Sequence, residues 1–312
     1  DKPEVLAQVA TLCRQHKVPL VLDLDDDLLN VPTDKDPTLG FMLYRPAMVE
    51  LLKATSMLTV STEPLAKAYA GLTRSVRIVP NRLDPRVWLE PLERDPNPPK
   101  GFDEDAAIRV LYMGSPTHHE DLQLILPAFA RLRSKHRVQL HTIGVTGAKT
   151  PEGFRPIVPP HPRYDHFIAW FRSIVGHFDL AVAPLLDTPF NRCKSDLKFL
   201  EYAACGLPVV ASRVVPYSLT VRDGEDGLLA DNDEDSWFNA IESLVLQPEL
   251  RARLGAAARL RAETEFMVKS CVFDEFPWTD WGAETGAQPA AAASVAQPPR
   301  RAVEVATEAW GA

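Results

Sequence analysis

Apolar and polar residues alternate in blocks along this chain, and the period of the blocks keeps switching. Residues 3–16 carry apolar positions at helical spacing. The run PLVLDL at 19–24 then reads as a buried strand that ends in Asp25-Asp26-Asp27. Helical spacing returns over 43–54, followed by a strand at 57–61, a helix at 63–70 and a strand at 76–79 that closes at Pro80-Asn81. A second series starts further on. It predicts a strand at 108–113, a turn at Gly114-Ser115-Pro116, a helix over 121–134 and strands at 138–143 and 157–158. A helix at 165–174 and a strand at 180–184 complete it. Strand and helix in strict alternation are the mark of parallel, doubly wound sheets, so the fold class is α/β with two Rossmann-like units.

Between the two series, residues 89–106 are proline-rich and charged and read as a linker. The expected division is an N-terminal α/β unit at 1–88, the linker at 89–106, and a C-terminal α/β unit at 107–270. A tail at 271–312, rich in Ala, Pro and Gln, has too few core-forming residues to fold and is expected to be largely disordered. The second unit has the length of a full nucleotide-binding domain. The first is short, and the chain opens at Asp1 directly in a helical pattern, so a fragment or processed product is expected.

A length of 312 residues with 46% hydrophobic content suits two modest cores. The formal charge of −8 argues against a general polyanion or nucleic-acid binder, so any phosphate site must be local. Four cysteines stand at 13, 193, 205 and 271 without CxxC or Cys/His metal spacing, which points to reduced thiols and a cytoplasmic setting. No apolar run reaches the ~18 residues of a membrane span, which leaves peripheral contact with the inner membrane face as the remaining membrane option.

The richest segment is KSDLKFLEYAACGLPVVAS, from Lys194 to Ser212. Leu197, Leu200, Ala203 and Ala204 mark one packed face of a helix over 195–205. Ser195 is placed to cap it, with Asp196 in its first turn, Gly206 at its left-handed end and Pro208 beyond. A helix N-terminus between Lys194 and Lys198 forms an anion site, and Glu201, three residues from Lys198, offers a carboxylate to sugar hydroxyls. The alternative is an ordinary capped helix whose Lys and Glu pair in solvent.

The run Glu201-Tyr-Ala-Ala-Cys-Gly206-Leu-Pro208-Val-Val resembles the glutamate-bearing helix of GT-B-fold retaining glycosyltransferases, the group 1 or family 4-like enzymes. The stretch 56–88 resembles the end of that family's N-terminal domain, where a strand, helix and strand lead to an Asn-x-x-Asp segment at the interdomain crossing, here Asn81 to Asp84. The resemblance implies a nucleoside-diphosphate-sugar donor and transfer to an acceptor hydroxyl with retention. The acceptor would be a glycan or lipid-linked molecule, as in polysaccharide or lipopolysaccharide assembly, and no metal would be needed as cofactor. It assigns donor ribose to Glu201 and donor diphosphate to the turn Ser195, Asp196 and Leu197 with Lys194 and Lys198, Lys198 being a catalytic residue. Gly114 and Ser115 would face the phosphates across the cleft. Where many members carry a second glutamate for the transferred sugar, this chain has Cys193.

The acidic strand end admits two readings. In the same family it faces the acceptor, so Asp25 or Asp26 is a candidate to orient or deprotonate the acceptor hydroxyl, with Asp27 beside them. Asp23-x-Asp25 after an apolar strand also resembles the nucleophile motif of Mg-dependent haloacid-dehalogenase-type phosphatases. A non-catalytic nucleotide-sugar-binding protein is the third alternative. His118, His119, Glu120 and Asp121 lie on one helical turn and read as capping residues rather than a metal set.

Overall fold

The computed structural model describes residues 3–97, 99, 102, 108–144, 154–161 and 163–269; the tail expected at 271–312 lies outside them. The N-terminal unit runs α1 (Pro3–His16), β1 (Val21–Leu24), α2 (Gly40–Ala54), β2 (Met57–Val60), α3 (Glu63–Tyr69) and β3 (Val76–Ile78). Its three strands are parallel, in the order β1-β2-β3. Leu24, Leu52, Leu58, Val60, Leu65 and Tyr69 form its core. The helix expected over 43–54 starts earlier, at Gly40. The reason is Asp36, whose carboxylate accepts the amides of Gly40 (2.8 Å) and Met42 (3.3 Å) and so caps the helix from outside it.

After α4 (Pro85–Trp88), the C-terminal unit runs β4 (Ile108–Met113), α5 (His119–Gln123), α6 (Leu126–Lys135), β5 (Val138–Ile143), β6 (Phe154–Ile157), α7 (Tyr164–Ile174) and β7 (Leu180–Ala183). It continues with α8 (Pro189–Arg192), α9 (Leu197–Ala204), β8 (Val209–Ser212), α10 (Tyr217–Thr220), β9 (Leu228–Ala230), α11 (Glu234–Leu246) and α12 (Pro248–Arg261). Its six strands are all parallel, in the order β6-β5-β4-β7-β8-β9. Both faces are covered. One core gathers around Phe171, Phe199, Tyr202 and Val209, and the other around Tyr112, Phe129, Trp237 and Phe238. That explains the unbroken apolar strands of the sequence, since a doubly covered parallel sheet leaves no face for polar residues. The helix expected over 121–134 divides in two because Pro127 sits in the first turn of α6 and has no amide to continue α5. The sheet edge expected at 157–158 occupies Phe154–Ile157 instead.

The stretch read as a linker is held against the C-terminal unit at Glu90, Asp95 and Phe102. Arg172 on α7 donates to the carbonyls of Val87 and Glu90, and the Asp95 amide donates to Ser173 O (3.0 Å). Phe102 packs on His141 and Phe178. The chain returns at its far end: the Leu83 amide donates to Phe266 O (2.9 Å), and the Val268 amide donates to Leu83 O (2.8 Å). Two crossings therefore hinge the units together.

Candidate donor and acceptor sites

The order β6-β5-β4-β7-β8-β9 reverses direction between β4 and β7, and such a switch point opens a crevice at the carboxyl ends of the strands. The loop after β4 (Gly114–His118) and the start of α9, reached from β7, border it. At Gly114 an added Cβ would come within 2.8 Å of the Tyr112 hydroxyl. The glycine expected to admit a ligand is thus demanded by the phenol of Tyr112. Ser115 Oγ bonds Thr117 Oγ1 (2.8 Å).

The helix expected from Ser195 begins at Leu197, with Asp196 in the cap position and no side chain capping it. The candidate cap Ser195 instead accepts from Asn81 Nδ2 (2.9 Å) of the crossing, and Asp196 accepts from Thr220 Oγ1 (2.5 Å). Both polar side chains are spent on bracing the turn, which leaves the first amides of α9 without a side-chain partner.

Lys198 and Glu201 lie on one face of α9, as their spacing predicted, yet among the described residues they form no ion pair within 4 Å. Lys198 Nζ stands 5.7 Å from the Tyr112 ring centroid. Burial pulls its ammonium down to about 8 and pushes the Glu201 carboxyl up to about 7. Glu201 is only 5% exposed, and its Oε1 accepts from the Tyr164 hydroxyl (2.8 Å). Solvent pairing of Lys and Glu is therefore not what this helix does.

Three further groups, Asp121, His118 and Lys35, gather beside the loop after β4. Asp121 is fully buried and accepts from the Leu186 amide (2.8 Å), Asn191 Nδ2 (2.9 Å) and His118 Nδ1 (2.7 Å). Burial raises its carboxyl, but these donors and nearby Lys35 outweigh it and hold the group below the usual range. Burial and the neighbouring Lys198 bring His118 down to about 4, so it is neutral at pH 7. Lys35, from the N-terminal unit, crosses to donate to Thr117 O (2.6 Å) and stands 3.7 Å from Asp121. Sequence reasoning missed Lys35 and Tyr164, and it read Asp121, which is buried, as a capping residue. Nothing local marks a lysine in a turn 80 residues away, and Tyr164 precedes the predicted start of its helix by one residue.

The structure gives the three consecutive aspartates three situations. Asp27 is buried and accepts twice from Asn30 Nδ2 (3.1 and 2.9 Å), a turn brace. Asp26 pairs with Lys194 Nζ at 3.0 Å to both oxygens, across the two units. Asp25, its carboxyl raised by burial and by Asp26, lines a cavity of about 410 Å³ with Asp23, Ser61, Asn81, Arg82 and Lys269. Asp23 accepts a hydrogen bond from Thr59 Oγ1 within the sheet. Among the described residues no three His, Cys, Asp or Glu side chains gather as a metal-holding group. Cys193, in the place of the family's second glutamate, packs into the N-terminal core, and its carbonyl accepts from Thr62 Oγ1 (2.8 Å).

Residues 107–247 match the family model described as Glycosyl transferases group 1. A D-inositol 3-phosphate glycosyltransferase of Arthrobacter sp. (strain FB24) is 32% identical over 171 residues, half of this chain and 38% of that protein. The protein of the same name from Stackebrandtia nassauensis is 28% identical over 215 residues, 63% of this chain and 46% of its own. The chain spans about half or less of the length of these curated relatives. Among solved structures, HepE of Anabaena in complex with UDP and glucose superposes with a TM-score of 0.59 at 16% identity, covering 85% of this chain and 72% of its own. WaaG, a glycosyltransferase involved in lipopolysaccharide biosynthesis, gives 0.55 at 16%, over 83% and 77%. Among the described residues no helix is long and apolar enough to cross a membrane. With its six-stranded parallel sheet, its switch-point crevice and the glutamate-bearing helix beside it, the C-terminal unit matches the group 1 glycosyltransferases over residues 107–247, and the chain shares the GT-B fold of its solved neighbours.

Proposed function

We propose that the chain moves a sugar from a nucleoside-diphosphate-sugar donor to an acceptor hydroxyl with retention at the anomeric carbon. The observation that carries this reading is the start of α9. Uncapped amides, Lys194 and Lys198 stand where a departing diphosphate needs charge, and the buried carboxylate of Glu201 stands one turn on, where ribose hydroxyls can donate to it. These groups supply the positive field themselves, so no metal is invoked. Charge on the diphosphate grows as the glycosidic bond breaks, so a cation placed here acts most strongly in the transition state.

The acceptor takes the cavity beside Asp25. That carboxyl, raised by burial, can accept the proton of an incoming hydroxyl. The cavity joins hydroxyl-binding groups (Asp23, Asp25, Ser61, Asn81) to two cations, Arg82 and Lys269, with Glu265 also in its lining. Together with relatives named for D-inositol 3-phosphate, this favours a polyol carrying a phosphate over a neutral glycan or a lipid-linked acceptor.

A thermal-shift panel of UDP, GDP, ADP and their sugars tests the donor half. Ligand at a hundred times Kd adds about 2.7 kcal/mol and raises Tm by several degrees. Glu201→Ala is expected to cost tenfold or more in affinity, about 1.4 kcal/mol, with little loss of fold. No shift with any nucleotide, or unchanged affinity in the variant, overturns the reading. Metal-dependent phosphate release without nucleotide binding would point to the phosphatase reading through Asp23 and Asp25. Donor binding with neither transfer nor hydrolysis would point to a binding protein.

A further inference from the structure

Tyr164 opens α7, after the loop that leaves β6, and its placement is split in two. More than half of the residue is exposed (56%), yet its hydroxyl turns inward and donates to Glu201 Oε1 at 2.8 Å. Among the described residues it is the one group hydrogen-bonded to the Glu201 side chain. A residue that keeps its ring in water while burying its hydroxyl on a carboxylate holds that carboxylate from the solvent side, where a nucleoside has to enter.

We propose that Tyr164 is a positioning residue for the donor: its hydroxyl fixes the Glu201 carboxylate in the orientation in which ribose hydroxyls can donate to it. The inference rests on the ribose role given to Glu201 above. With Tyr164 on one oxygen, the second oxygen and the remaining lone pair stay available to ribose. A hydrogen bond to the carboxylate also favours its ionised form, the form that accepts from hydroxyls. The other groups that face Glu201 do less. Lys198 on α9 favours ionisation through space, burial opposes it, and Cys205 on α9, Tyr202 beside Glu201 and Tyr217 on α10 are neutral at pH 7. Tyr164 is therefore the group that sets how far into acid the carboxylate can serve.

The test measures binding of UDP-glucose and GDP-mannose from pH 5.5 to 9 by calorimetry. Their diphosphates do not titrate in this range and their bases ionise only toward its alkaline end, so a change on the acid side belongs to the protein. The wild type is expected to bind more weakly below about pH 7. Tyr164→Phe keeps the ring and removes the hydroxyl. It is expected to move that midpoint upward and to lose about tenfold in affinity at pH 6.5, but only two- to threefold at pH 8.5. In a Glu201→Gln background the same substitution should change neither affinity nor pH profile. A Tyr164→Phe midpoint identical to wild type, while Glu201→Gln weakens binding, overturns the positioning role and leaves the ribose reading intact. An unaffected Glu201→Gln, or no binding of either donor, overturns the ribose reading and this inference with it. The exposed ring makes loss of folding unexpected, and far-ultraviolet circular dichroism on each variant checks it.

Discussion

The start of α9 and the end of β1 meet across the crevice, and they use acidic residues in opposite ways. On α9 one carboxylate and one ammonium are buried within a turn of each other, unpaired, and forced to about 7 and about 8 from ordinary values of 4.5 and 10.5. At the end of β1 three adjacent carboxylates are shared out: Asp27 to a turn, Asp26 to a lysine of the other unit, Asp25 to a cavity. The first region stores its chemistry in cost, because two opposite charges are buried without an ion pair between them. The second stores it in position, because only one of three like residues is left open. A cluster of acids read as a unit is thus the wrong description. The site is assembled by what each neighbour leaves unclaimed.

The largest expected effect comes from removing the α9 cation. Lys198→Ala should lower kcat by 10²–10³, about 2.7–4 kcal/mol, while donor affinity falls far less. Equal losses in both would place Lys198 in ground-state binding instead. The same cation gives a pH signature. A lysine brought down to about 8 loses its proton above that pH, and a glutamate raised to about 7 gains one below it. The profile of kcat/KM is expected to be a bell with limbs near these values, and Lys198→Arg should flatten the alkaline limb.

On the acidic strand end the substitutions should separate neighbours. Asp25→Asn is expected to reduce kcat about 10²-fold with unchanged donor affinity, the scale of a lost general base. Asp26→Asn should instead tighten donor binding about tenfold, because it frees Lys194 from a competing carboxylate, an interaction worth about 1.5 kcal/mol. Steady-state kinetics with donor titration reads both. If the two results exchange places, Asp26 takes the acceptor proton and the cavity beside Asp25 is not the acceptor site.

Most of the strands were legible because a parallel sheet covered on both faces writes itself as short apolar runs. The strand at Ile108–Met113 and the one at Val138–Ile143 fall where the pattern put them. Helix limits were less legible where a cap lies outside the helix, as Asp36 does for α2, or where a proline interrupts a continuous apolar period, as Pro127 does. In the site, Lys198 and Glu201 were readable from one helix, since three residues always make a face. Ser195 was misread as a cap because its hydroxyl answers to Asn81, 114 residues away in sequence. Lys35 follows the same rule: a group brought in by the crossing of two units leaves no local trace. Cys193 is the instructive departure. A thiol among leucines of the N-terminal core suits the burial at that position better than a carboxylate would.

The smallest effect sharpens the comparison through stability instead of rate. Glu201 has its folded value raised to about 7 from 4.5, so the folded state holds a proton that the unfolded chain has released between those limits. The contribution of Glu201 to stability is therefore full below about pH 4.5 and declines as pH rises through 7. Glu201→Gln keeps the size and an oxygen for Tyr164 but has nothing to ionise. It should match the wild type near pH 4.5 and exceed it at pH 8. The gain should be about 1 kcal/mol, less than the shift alone would give, because the new amide also needs partners in a buried place. Thermal unfolding of both proteins at the two pH values reads this. Asp27→Asn provides the control from the other region: its carboxylate is already matched by Asn30, so the substitution should destabilise at pH 8. Gains at both positions would mean that the two regions bear their charges alike, and the contrast between cost and position would fall.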